Sequence, residues 1–193
     1  MRKQMNRVIF ILLLIFTAPA SILAHPHIFI DVSPSFVFDD NGLAGITVQW
    51  HFDELFSQDI IMSCDKDGDS KFNKEEIENV EKDYFNYAKN SNYFSIIKIN
   101  GDTLKNIAVK DFQAFINPDK LTVTYIYFIP VGLLYETNIT KIQYIANDHT
   151  TFVAFGSNQK ENSIKEKHVK ITKQYIKEFS YYGYEFGLEY KGK

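Results

Sequence analysis

At 193 residues, 45% hydrophobic and 16% aromatic, the chain is long enough to bury one core and too apolar to be a disordered tail. Its formal charge is −3, and no basic cluster lies beyond the first seven residues, which excludes a nucleic-acid footprint. A single cysteine excludes an intrachain disulfide framework and the thiolate zinc motifs.

Arg2, Lys3 and Arg7 precede an apolar run from Val8 to Phe16, and small residues follow as far as Ala24. That order of basic, apolar and small residues predicts a secretory signal peptide over 1–24. The apolar run is too short for a membrane span, which needs about 20 such residues. Cleavage after Ala20 has the better small-residue pattern, whereas cleavage after Ala24 makes His25 the new N-terminus. Loss of residues 1–24 removes three basic and no acidic residues, so the charge moves from −3 to −6. The expectation is one periplasmic or otherwise exported domain over 25–193 that does not span the membrane once cleaved. Its acidic balance favours cations over nucleic acid as partners.

Beyond the leader, apolar residues alternate through Ile28, Ile30, Val32, Phe36 and Phe38, and again through Ile46, Val48 and Trp50, with a turn at 39–42. This predicts a β-hairpin. The period then lengthens. Phe52, Phe56, Ile60 and Ile61 fit one helical face, and Ile77, Val80, Tyr84 and Tyr87 another, with a polar loop between them. Strand patterning returns at 93–99, 109–116, 121–129, 139–145 and 150–155, and one or two more strands are expected within 169–190. The segment 158–167 is polar and reads as a solvated loop. The fold expected is α+β, a mostly antiparallel β-sandwich-like domain carrying a helix-loop-helix insertion at about 52–90.

The loop of that insertion carries the clearest chemistry. From Asp65 to Glu76 oxygen donors stand at positions 1, 3, 5, 9 and 12, and the spacing resembles the calcium loop of the EF-hand family. The resemblance implies side-chain ligands from Asp65, Asp67 and Asp69, a backbone carbonyl from Lys71, Asn73 acting directly or through water, and Glu76 closing the site with both oxygens. Phe72 takes the loop's apolar position. Ser70 departs from the family pattern, which has glycine there because the backbone turns through positive φ. Strain of roughly 1–2 kcal/mol is expected from that residue. With no second such loop in the chain, a structural Ca²⁺ fits better than a sensor, which opens a helix pair to expose an apolar groove.

His25, His27 and His51 supply three imidazoles near predicted strand ends, and neutral imidazole suits Ni²⁺, Co²⁺, Zn²⁺ or Cu²⁺. The alternative is an exposed N-terminal segment and a hydrogen-bonded histidine at a strand end. Taken with the leader, the His25–Asp31 segment, the Gln49–Phe56 segment and the acidic loop, the chain resembles a bacterial periplasmic family of unknown function. That family is described as the periplasmic component of an uncharacterised ABC-type transport system, associated with nickel/cobalt-type permeases. The resemblance implies an inner-membrane metal transporter as partner and an accessory role in divalent-metal transport.

Enzymatic motifs are absent from the sequence: there is no nucleophile elbow, no paired-histidine zinc motif and no phosphate loop. Cys64, at a helix-packing position beside the acidic loop, is expected in the core rather than as a reactive thiol. No catalytic activity is therefore expected. Two rivals to the transport reading stand: a structural or interaction module whose only ligand is calcium, and a copper enzyme using His25 at a free N-terminus.

Overall fold

A computed structural model describes residues 27–150, 152–165 and 169–192. The predicted leader and His25 lie outside them. Among the described residues no helix is long and apolar enough to cross a membrane.

The chain opens as the expected hairpin, β1 (Ile28–Phe38) and β2 (Gly42–Phe52). Asp39 makes the turn: its Oδ1 accepts the N–H groups of Asn41 and Gly42 at 2.7 and 3.0 Å. Alternation then does its work. Ile30, Val32, Pro34, Phe36 and Phe38 on β1, and Ile46, Val48, Trp50 and Phe52 on β2, are buried, while the residues that alternate with them are half-buried.

After the hairpin come α1 (Glu54–Cys64) and α2 (Lys74–Val80), and after a longer turn segment β3 (Ser95–Ile99), β4 (Asp102–Thr103), β5 (Lys110–Ile116) and β6 (Val123–Leu134). The remaining strands are β7 (Thr140–Ala146), β8 (Val153–Gly156), β9 (Ser163–Lys165), β10 (Val169–Ser180) and β11 (Gly183–Gly192). They form two sheets, β5-β6-β2-β1-β8 with β9 also on β1, and β10-β11-β7-β3-β4. Most pairings are antiparallel, but β8 and β9 run parallel to β1. The two sheets share one core, in which the Phe38 and Tyr190 rings, one from each sheet, meet edge to face at 4.8 Å. The α+β class and the antiparallel-rich pair of sheets are as expected.

Three local expectations differ from the structure. The segment 158–167 is not wholly loop, because β9 adds a short strand beside Ser35, Phe36 and Val37. Residues 93 and 94 do not begin β3; Tyr93 and Phe94 have φ of 52° and 50°. The helical face through Tyr84 and Tyr87 is also displaced. After Val80 the backbone widens into a π turn over Glu81–Phe85 and then a 3-10 segment over Asn86–Phe94. The widened turn rotates the following residues, so Phe85 and Ala88 are buried and Tyr87 is 81% exposed.

Between β7 and β8 the chain must reverse and enter a parallel pairing, and the buried Asp148 holds that corner. Its carboxylate accepts from the Thr150 N–H and hydroxyl at 2.9 and 2.7 Å and from the Val153 N–H at 3.0 Å. Burial pushes its pKa up, but those hydrogen bonds outweigh it and the net direction is down. A folded-state pKa below the unfolded one contributes stability at neutral pH that is lost as pH falls through the folded value. Asp148→Ala should cost about 1–3 kcal/mol and lower Tm by roughly 3–9 °C at neutral pH. The gap between variant and wild type should narrow on acidification, as thermal melts across the acid range will show.

Candidate metal centre

The acidic loop is built by the two helices it joins. Asp53 caps α1: its Oδ1 accepts the Phe56 N–H at 3.0 Å, while its Oδ2 accepts the Phe29 N–H at 2.9 Å and ties the helix start to β1. At the far end the Asp65 N–H donates to the Ile61 carbonyl at 2.9 Å. Asn73 then caps α2 through a capping box. Its side-chain oxygen accepts from Glu75 and Glu76 N–H at 3.0 and 3.1 Å, and Glu76 Oε2 accepts the Asn73 N–H at 2.9 Å.

Between the helices the backbone wraps around carboxylates. Asp65 accepts Gly68 N–H at 3.0 Å on one oxygen and Ser70 N–H at 3.1 Å on the other. Glu76 Oε1 accepts the Lys66 N–H at 2.6 Å across the loop. Ligand oxygens of Asp65, Asp67 and Glu76 all lie within 4.8 Å of one another, and Glu76 is buried at 3% exposure. Of the six residues expected to act together, these three carboxylates converge. Asp69 lies outside the cluster and accepts the Lys71 N–H at 2.8 Å; Lys71 is an exposed loop residue. The Asn73 side-chain oxygen is committed to its cap.

Ser70 sits at φ 63°, the left-handed conformation expected at the loop's sixth position. Phe72 is buried, as its apolar position requires, and Cys64 is buried, with desolvation pushing its thiol pKa up. Glu75 and Asn79 border the same hollow of about 200 Å³ as Asp67 and Glu76. The sequence expectation included neither, although Asn79 stands three residues after Glu76 and four after Glu75 on α2 and so shares a face with each.

The histidines are placed differently. His27 is exposed, with its ring 5.0 Å from that of Phe152. His51 is half-buried on β2, and its Nδ1 lies 3.1 Å from Thr124 Oγ1 and 3.3 Å from Asn117 Nδ2. Asp31 faces it across the β1–β2 ladder, and Asp31, His51 and Asp53 border a hollow of about 360 Å³. Asp31 Oδ2 accepts from Asn158 at 2.6 Å. Among the described residues no cluster of three metal-ligating side chains includes a histidine; the one found is the acidic cluster.

Asp53 satisfies two backbone donors at once, so its role in this geometry is to pin α1 to the sheet. Asp53→Ala should cost about 1–2 kcal/mol, read as a shift in the urea midpoint without a change in slope.

Comparison with curated proteins gives no match. Residues 10–179 match a family described as a protein family of unknown function, DUF1007. The match spans most of the chain, the first sheet and the whole helix-loop-helix included, and stops short of β11; the protein belongs to the DUF1007 family.

Proposed function

We propose that the protein is an exported calcium-binding domain whose acidic loop works as an EF-hand-like site, and that it serves as a periplasmic accessory to divalent transition-metal transport. The observation that carries the calcium half is the convergence of Asp65, Asp67 and Glu76 within 4.8 Å in a loop whose sixth residue takes positive φ. A hard cation with six to eight oxygen ligands fits such a ring, with Asp69, the Lys71 carbonyl, and Asn73 through water completing it. Ca²⁺ neutralises carboxylates that otherwise repel one another, and so orders the helix hairpin. The transport half rests on the resemblance to periplasmic transport components and on His25, His27 and His51 as nitrogen ligands for Ni²⁺, Co²⁺, Zn²⁺ or Cu²⁺.

A second reading, a module whose only ligand is calcium, is favoured by the separate engagements of His27 with Phe152 and of His51 with Thr124 and Asn117. The copper-enzyme reading requires cleavage after Ala24, and mass determination of the mature N-terminus decides it.

Calorimetric titration of metal-free protein should give one Ca²⁺ per chain, with an affinity in the range of extracellular sites, about 10⁻⁴ to 10⁻³ M. Glu76→Gln should weaken it roughly a hundredfold. Ser70→Gly should tighten it by up to about tenfold, because the strained turn no longer opposes loop closure. Absence of any heat of binding at millimolar Ca²⁺ would refute the calcium reading.

With Ca²⁺ saturating, a titration of Zn²⁺, Ni²⁺, Co²⁺ and Cu²⁺ should reveal a second site that His27→Ala and His51→Ala each weaken about tenfold or more. If only Ca²⁺ binds, the calcium-only module replaces the transport accessory.

A further inference from the structure

The first sheet, α1 and the turns after α2 enclose a cavity of about 250 Å³ that borders no residue of the acidic loop. Its walls are aromatic from several directions: Phe52 and Tyr125 from the sheet, Phe56 from α1, and Tyr84 and Tyr87 from the turns. The rings are held at differing angles. Phe52 meets Tyr125 at 4.7 Å and 68° and Phe56 at 5.2 Å and 45°, and the Tyr84 hydroxyl donates to Asp59 Oδ2 at 3.2 Å. A guest would therefore meet several ring faces rather than one flat wall.

Charge at this cavity has one sign. Asp83 is the charged residue among the described residues that line it, and no Lys, Arg or His is among them. Lys82 Nζ lies 3.9 Å from Asp83 Oδ1, and both side chains are largely exposed, so that pair is too loose to neutralise the carboxylate.

The backbone around the cavity is unusual in the same place. The π turn over Glu81–Phe85 supplies Asp83 and Tyr84, and π turns recur at functional sites. Three consecutive non-glycine residues, Asn92, Tyr93 and Phe94, hold φ of 50°, 52° and 50°, and Phe94 lines the cavity. Strain of this kind persists where the surroundings over-determine it, and it gathers at ligand clamps.

We propose that this cavity binds a small organic cation, an amine or quaternary ammonium ion held among ring faces beside Asp83. Aromatic faces attract cations through the ring quadrupole, and a carboxylate at the same wall selects a positive guest over a neutral one of equal shape. The volume falls below that of drug-sized sites, roughly 300–1,000 Å³, which limits the guest to a small molecule. This site goes beyond the calcium reading and stands whether or not the acidic loop holds an ion.

The protein's one tryptophan, Trp50, lines the cavity and provides the probe. With Ca²⁺ fixed at a few millimolar, purified protein is titrated with choline, tetramethylammonium and the neutral isostere of choline, dimethylbutanol, following Trp50 emission and binding heat. Choline and tetramethylammonium should produce saturable changes, with choline binding at least about fivefold tighter than dimethylbutanol. Asp83→Asn should weaken choline about fivefold. Tyr87→Ala, at a residue 81% exposed and so outside the core, should weaken it roughly two- to fivefold. Equal binding of dimethylbutanol overturns the cation assignment, and no saturable response to either cation overturns the site.

Discussion

Everything in the helix hairpin depends on a conflict between like charges. Asp65, Asp67 and Glu76 bring ligand oxygens within 4.8 Å of one another, where each pair of carboxylates repels by about 1 kcal/mol even at the dielectric of water and by more where Glu76 is buried. Backbone N–H groups of Lys66, Gly68, Ser70 and Asn73 offset part of that repulsion by donating to the same carboxylates. Neutral donors do not cancel charge. The proposed ion would, and that is the physical reason to read this loop as a cation site rather than as an acidic turn.

The consequence reaches beyond the loop because α2 is short. Lys74–Val80 is two turns of helix, too few to stand alone in water, so its position is set by the Asn73–Glu76 capping box at one end and by Phe85 in the core at the other. The first helix is tied more firmly. Asp53 joins it to β1, and the fully buried Ser57 accepts the Val123 N–H at 2.9 Å and so joins it to β6. Both helices pack on the first sheet, α1 against β6 and α2 against β5 with Val80 in the core, but α1 has in addition the hydrogen bonds of Asp53 and Ser57 to the strands. In the proposed calcium state, filling the loop would fix the turns after α2 as well, and with them the aromatic wall to which Asp83 and Tyr84 belong.

How much of this the sequence disclosed follows from the range of each interaction. Period-two alternation made β1, β2, β6 and β7 legible, because each buries one face, and Asp39 announced its turn through its own side chain. The acidic loop was legible because its donors are local, and even Ser70 at positive φ was foreseeable from its position. What escaped depends on distant partners. The parallel pairing of β8 and β9 with β1 leaves no local mark, and β9 is three residues of mixed polarity within a charged stretch. The π turn moved Tyr87 out and Phe85 in, a one-residue shift that helical periodicity cannot anticipate. Nothing local to Asp53 announces that its second oxygen holds the Phe29 N–H; only the fold shows it. Of the three histidines read together, His25 lies outside the described residues, and the other two are engaged separately, His51 within a ladder beside Thr124 and His27 beside Phe152.

Amide hydrogen exchange over residues 65–76, measured with Ca²⁺ and with a chelator, tests the central claim most directly. Protection of Lys66, Gly68, Ser70 and Asn73 amides should rise sharply with Ca²⁺ and spread into α2, while the strands of both sheets stay unchanged. Equal protection of the loop in the two conditions would contradict the account, since the carboxylates would then be held by the protein alone.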